Sequence, residues 1–143
     1  MFLLDTNVVS ELRKAGSGKA DKQVIAWAEK VADSQLHISA VTVMELEMGV
    51  LAKERKDKTQ GAMLRYWLEH NVLPAFAERI LAFDSRIARC CAGLHVPDRR
   101  SERDALIAAT AIVHNMTVVT RNSDDFIETG VALLNPWQGW SVR

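Results

Sequence analysis

"SERDALIAATAIVHNMTVVTRNSDDF", residues 101–126, places acids at both ends of an otherwise apolar run. Asp104 opens a stretch of small and aliphatic residues whose period is helical, to His114. The β-branched "TVVT" (117–120) follows and is too short for a stable helix, so it reads as a buried strand. Asn122, Asp124 and Asp125 come directly after it. Acids therefore sit where a buried helix begins and just past where a buried strand stops, and the rest of the chain repeats the arrangement.

Working outward, four more short apolar runs read as strands: "FLL" (2–4), "LHI" (36–38), "RILAF" (79–83) and "VALL" (131–134). Helical period fills residues 7–14 and 21–32, joined by the flexible "AGSGK". It also fills 41–55 and 60–71, joined by the charged "KERKDKT", and then 85–94 and 103–114. Strands alternating with helices predict βαβ units: an α/β fold with a parallel sheet and helices on both faces. With no repeat and no long interior linker, residues 1–143 are expected to form one domain.

Composition narrows the function. At 48% hydrophobic and 25% charged the chain has the makeup of an ordinary globule, and its zero net charge argues against passive coating of nucleic acid. Any RNA or DNA must be held locally. Adjacent Cys90 and Cys91 fall in an apolar helical run and read as reduced core residues. "MFLL" is stopped by Asp5 and lacks a basic start, and no segment approaches a membrane span, so a cytoplasmic protein is expected.

Asp5 follows the first strand, Glu45 lies near the start of the helix after the second, and Asp104 begins the helix feeding the fourth. In an open α/β sheet, ligands bind beyond the carboxyl ends of the strands, where strand order reverses. Each acid also has a purely structural reading. Asp5 could cap a helix, while Thr42 with Glu45 and Ser101 with Asp104 have capping-box spacing. Asp84, before "SRIA", is read as a cap alone. Carboxylates gathered at a poorly hydrated rim would raise one another's pKa unless a cation compensated. An all-oxygen set, with no paired histidines and no supporting cysteine, suits Mg²⁺ or Mn²⁺ rather than Zn²⁺.

Four segments, "FLLDTNVVSEL", "SAVTVMELEMGV", "RDALIAATAIVHNMTVVTRNSDDF" and "GVALLNPW", together and in this order, resemble the PIN-domain ribonucleases of the VapC/FitB toxin type. The resemblance spans essentially the whole chain. It implies a three-layer α/β/α sandwich whose five-stranded parallel sheet has the order 3-2-1-4-5. It implies Asp5 and Asp104 as metal ligands and Glu45 as the third acid. The usual fourth acid falls at Asn122, leaving Asp124 or Asp125 to supply that charge. The implied chemistry is Mg²⁺-dependent endonucleolytic cleavage of single-stranded RNA by activated water, leaving a 5′-phosphate and a 3′-hydroxyl. Arg99, Arg100, Arg103 and Arg121 are candidate phosphate contacts. The implied partners are a second copy of the chain and an antitoxin of the VapB/FitA type, through which alone DNA is bound. Trp27, Trp67, Trp137 and Trp140 are read as core residues first and partner-groove residues second.

Three alternatives stand beside this reading. A haloacid-dehalogenase-type phosphatase also begins with a strand and an Asp, but needs a second Asp where this chain has Asn7. A receiver domain needs an early acidic pair and a late lysine that "TVVTRN" does not supply. A catalytically silent PIN domain, acting as a binding module, would keep the fold without the activity.

Overall fold

The computed structural model describes residues 1–139. Strands β1 (Phe2–Leu4), β2 (Leu36–Ser39), β3 (Ile80–Leu81), β4 (Thr117–Val119) and β5 (Leu133–Leu134) form one sheet of order β3-β2-β1-β4-β5. Every pairing is parallel: Phe2 lies opposite both Leu36 and Thr117, Ile38 opposite Ile80, and Val118 opposite Leu133. Order reverses between β1 and β4, as the resemblance implied.

The helices are α1 (Thr6–Arg13), α2 (Lys22–Lys30), α3 (Ala40–Lys56), α4 (Lys58–Trp67), the short α5 (Leu73–Ala75), α6 (Ser85–Leu94) and α7 (Glu102–Val113). Successive strand residues point to opposite faces, and the core divides accordingly. Leu3, Val118 and Leu133 are in register and pack with Ile107, Ala108 and Ala111 of α7 and with Phe126. One residue further on, Leu4, Val119 and Leu134 face the other way, onto Val8 and Val9 of α1, Trp27 of α2 and Leu46 and Val50 of α3. Both faces are covered, which is why the strands read as continuous apolar runs rather than alternating ones.

Several boundaries differ from the sequence expectation. "RILAF" keeps only two ladder residues, and Phe83 is exposed, because β3 is an edge strand and short edges limit pairing with other chains. The helix expected over 60–71 starts earlier and runs on through a π-helical stretch, Leu68–Val72, into α5. Leu73 N–H donates five residues back to Leu68 O, and Pro74 then offers no N–H of its own. The "AGSGK" region is partly ordered as a 3₁₀ turn, Lys14–Ser17, stopped by Gly18 at φ 74°. Another 3₁₀ segment, Ser123–Thr129, ends at Gly130 with φ 78°. Trp27 is core, whereas Trp67 and Trp137 are half-buried; Trp140 lies outside the described residues. Cys90 and Cys91 are free thiols, with Cys91 buried.

Helices α3 and α4 pack so closely that a Cβ on Gly61 would lie 2.4 Å from the Glu54 Cα. Arg65 of α4 spans this contact, donating to Glu47 at 2.6 and 2.9 Å and to Glu54 at 3.0 Å.

Candidate active site

Asp5 leaves the end of β1 and caps α1. Its Oδ1 accepts from Thr6 N (2.8 Å) and its Oδ2 from the Thr120 hydroxyl (2.8 Å) at the end of β4. The chain therefore bridges β1 and β4 at the switch point. Thr120 Oγ1 in turn accepts from Asn122 N (3.1 Å), while Asn7 Oδ1 accepts from Arg121 N (3.2 Å). Asp5 is 7% exposed and Thr120 fully buried, so the carboxylate's orientation is fixed. Asp5 is thus a cap and a cleft residue at once.

Glu45 is not a capping residue. The cap of α3 is Ser39, whose hydroxyl accepts from Thr42 N at 3.2 Å, which places Glu45 in the second turn rather than at the capping-box position. Its Oε1 accepts from the Thr6 hydroxyl (2.9 Å) and its Oε2 from Arg103 Nη1 (3.1 Å). At Asp104 half of the expected box forms: Ser101 Oγ accepts from Asp104 N at 3.5 Å. Asp84 caps α6 as expected, accepting from Ile87 N at 3.0 Å.

These groups repel one another. Burial raises the Asp5 pKa, with Glu45 and Asp125 adding to the rise and the Thr120 and Thr6 hydrogen bonds opposing it. Burial likewise raises that of Asp104, followed by repulsion from Asp5, Asp125 and Glu45. Asp5, Glu45 and Asp104 share a cleft of about 600 Å³, whose lining also includes Asn122, Lys14, Arg103 and Arg121. Asp124 and Asp125 do not line it. Asp125 still makes its charge felt at Asp5 and Asp104 from the 3₁₀ turn after β4.

Of the four expected phosphate contacts, two lie elsewhere. Arg100 donates to Leu94 O (2.6 Å) and reaches Glu128, holding the loop before α7, and Arg99 pairs with Glu102. Arg103 and Arg121 do line the cleft, the latter with its guanidinium 5.4 Å over the Trp137 ring. Reading the sequence missed Lys14, which pairs with Glu11 at 3.2 Å, and the hydroxyl network of Thr6 and Thr120. The two threonines stand in "DTN" and "TRN", each immediately after a strand, but nothing in the sequence says what their hydroxyls meet.

Among the described residues, no three acidic, imidazole or thiol groups are gathered tightly enough to enclose a metal ion. The donor set nevertheless fits a hard divalent cation. Mg²⁺ commonly takes one or two carboxylates and keeps several waters, and Asp5 and Asp104 are carboxylates disfavoured in charged form by burial and by neighbouring acids, Glu45 and Asp125 at both and Asp5 at Asp104. A bound cation would reverse that imbalance.

Fold and cleft together define a doubly wound α/β domain with an all-oxygen acidic site at its switch point. Residues 2–132 match the family model of the PIN domain, and the chain belongs to that family. It is 38% identical to toxin FitB of Neisseria gonorrhoeae, over 96% of this chain and 99% of that one. The same figures hold for VapC ribonuclease Y4jK of Sinorhizobium fredii. A solved structure of FitAB bound to an IR36 DNA fragment superposes with a TM-score of 0.85 at 36% identity, covering 96% of each chain. The phosphatase and receiver readings fall with this match.

Proposed function

We propose that this chain is the toxin of a toxin–antitoxin pair, a divalent-metal-dependent endoribonuclease acting on single-stranded RNA. The observation that carries the reading is the convergence of Asp5, Glu45 and Asp104 on one cleft, with burial and mutual repulsion favouring a compensating cation. The names of the FitB and VapC relatives supply the substrate class and the toxin role.

Asp5 and Asp104 would hold Mg²⁺, or Mn²⁺ in its place. When bound, that ion lowers the pKa of water and offsets charge on the scissile phosphate. Thr120 and Thr6 N–H hold Asp5 in one orientation, so its ligand geometry is set before anything binds. Glu45, steadied by the Thr6 hydroxyl, orients the attacking water and takes its proton. The water oxygen bonds to phosphorus, the bond from phosphorus to the 3′ oxygen breaks, and that oxygen leaves with a solvent proton. Asp125 supplies the fourth charge, its repulsion being felt at both Asp5 and Asp104.

The partner is an antitoxin; FitAB is solved bound to a DNA fragment, and in this reading DNA is held by the antitoxin rather than by this chain. Pairing with a second copy is favoured by exposed Met44, Met48 and Leu51 on α3 beside Met63 and Tyr66 on α4. No described helix is long and apolar enough to cross a membrane, consistent with action on RNA in the cytoplasm.

Incubating a panel of single-stranded RNAs with Mg²⁺ or with EDTA tests the reading. Cleavage should need Mg²⁺ and vanish in Asp5→Asn and Asp104→Asn proteins that remain folded by circular dichroism. Full activity in excess EDTA overturns the metal role. The silent binding module is favoured by Glu45 already being paired with Arg103; absence of cleavage across the panel, with intact antitoxin binding, would support it.

A further inference from the structure

Arg103 occupies an unexpected place. It lies in the first turn of α7, where the helix dipole disfavours a cation and the neighbouring Glu102 and Asp104 are the residues that suit it. Its side chain leaves the helix and reaches 58 positions back along the chain to Glu45 Oε2, at 3.1 Å. The pair is asymmetric: the Arg103 side chain is 52% exposed and that of Glu45 18%. Only Nη1 is engaged with Glu45, one of the guanidinium's five donors, and the residue lines the cleft. Glu45, by contrast, has both oxygens in use, one held by Thr6 and the other by Arg103. Lys14 and Arg121, the other cations lining the cleft, lean on Glu11, which shares the lining, and on Trp137, rather than on Asp5, Glu45 or Asp104.

We propose that Arg103 is a phosphate-binding residue that changes partners, neutralising Glu45 while the cleft is empty and moving to the RNA backbone when substrate enters. The inference rests on the ribonuclease reading given above. A phosphodiester offers a guanidinium two oxygens in the fork geometry that a single contact with Glu45 leaves unused. The transfer frees Glu45 Oε2 at the moment a water must be oriented. Without RNA, Arg103 acts as an internal cation that competes with a divalent ion for the acidic centre. With RNA, it adds one charged contact to the strand.

Two opposite effects follow from one substitution, and a residue that merely solvates a loop would show neither. Mn²⁺ binding to the RNA-free full chain, read by electron paramagnetic resonance of free Mn²⁺, should tighten two- to about fivefold in Arg103→Ala, the range of a partly exposed ion pair. Binding of a fluorescent single-stranded RNA dodecamer, measured in the Asp104→Asn background to hold cleavage off, should weaken on adding Arg103→Ala. Its slope of log affinity against log salt should fall by about 0.7, the value for one lost contact to a single strand. Arg103→Lys keeps the charge and should hold Mn²⁺ affinity near wild type. Unchanged or weaker Mn²⁺ binding in Arg103→Ala, or an unchanged salt slope, overturns the exchange of partners. Wild-type protein that binds neither Mn²⁺ nor the RNA overturns the ribonuclease reading, and the role of Arg103 with it.

Discussion

Substituting Gly61 by alanine should destabilise the protein, against the ordinary preference of helices for alanine. Alanine in a helix interior is favoured over glycine by roughly 1 kcal/mol. At Gly61, however, the new methyl would stand 2.4 Å from Glu54 Cα and 2.8 Å from Glu54 N. Carbon atoms pack at about 3.5–4.0 Å, so α3 and α4 must separate by roughly 1 Å or more. The obstructing atoms are backbone and cannot rotate aside. Overpacking costs up to about 3 kcal/mol, leaving a net loss near 2 kcal/mol after the helix gain is subtracted. For a chain of 143 residues the unfolding entropy is about 0.3 kcal/mol/K, so Tm should fall by roughly 7 °C. Gly49 is the control, being helical in α3 with nothing within 4 Å of where its methyl would stand. Gly49→Ala should raise Tm by about 2–3 °C. Differential scanning calorimetry of both variants decides the matter. Equal shifts of the same sign would refute the claim that the helices meet backbone to backbone at Gly61.

In EDTA at pH 7, Asp104→Asn should melt at or above wild type, since it removes a repelled charge and leaves the Ser101 cap on its backbone N–H. Mg²⁺ at a hundred times its Kd should then raise wild-type Tm by about 9 °C through linkage, and the variant's by much less; a clear loss of stability in EDTA would favour capping as the main role of Asp104. Ser39→Ala should lower Tm by about 3 °C, the value of a lost cap. Thr42→Ala, which leaves the Ser39 hydroxyl to serve a backbone N–H, should keep that cap in a hydrogen-exchange measurement. Burial lowers the His37 pKa below 6.5, so the folded state resists protonation and stability is lost as pH falls below 6.5. Urea unfolding between pH 7.5 and 5 should show a shallower decline in His37→Gln; an identical slope would remove His37 as its source.

The sheet was legible because both of its faces are covered, so each strand announced itself as an apolar run with polar ends. The order 3-2-1-4-5 came from the resemblance, since nothing in strand composition says that β1 lies between β2 and β4. Strand length was less legible: "RILAF" looks like five strand residues, yet as an edge it pairs over two. Asp5 and Asp104 could be found because an acid next to an apolar run is conspicuous. Thr120 could not, because a threonine ending a β-branched strand looks like one more strand residue, and its hydroxyl gains meaning only once Asp5 lies 2.8 Å away. The cap of α3 was misplaced for a similar reason. Ser39, Thr42 and Glu45 offer two overlapping cap spacings, and only the helix start selects between them.

The pairing of β1 with β4 also sets a schedule for the molecule's birth. Phe2 finds Thr117, and Asp5 finds Thr120, only after more than a hundred intervening residues have been made. A ribosome adds residues from the N-terminal end, at about 5–20 per second. The central strand is thus made before either of its neighbours and is flanked on both sides only when β4 arrives. Asp104 and the turn bearing Asp125 arrive in that same late stretch. A nascent chain that stops before β4 carries Asp5, Glu45 and Asp104 but lacks the Thr120 hydroxyl that orients Asp5, so the cleft takes its final form only once β4 pairs with β1.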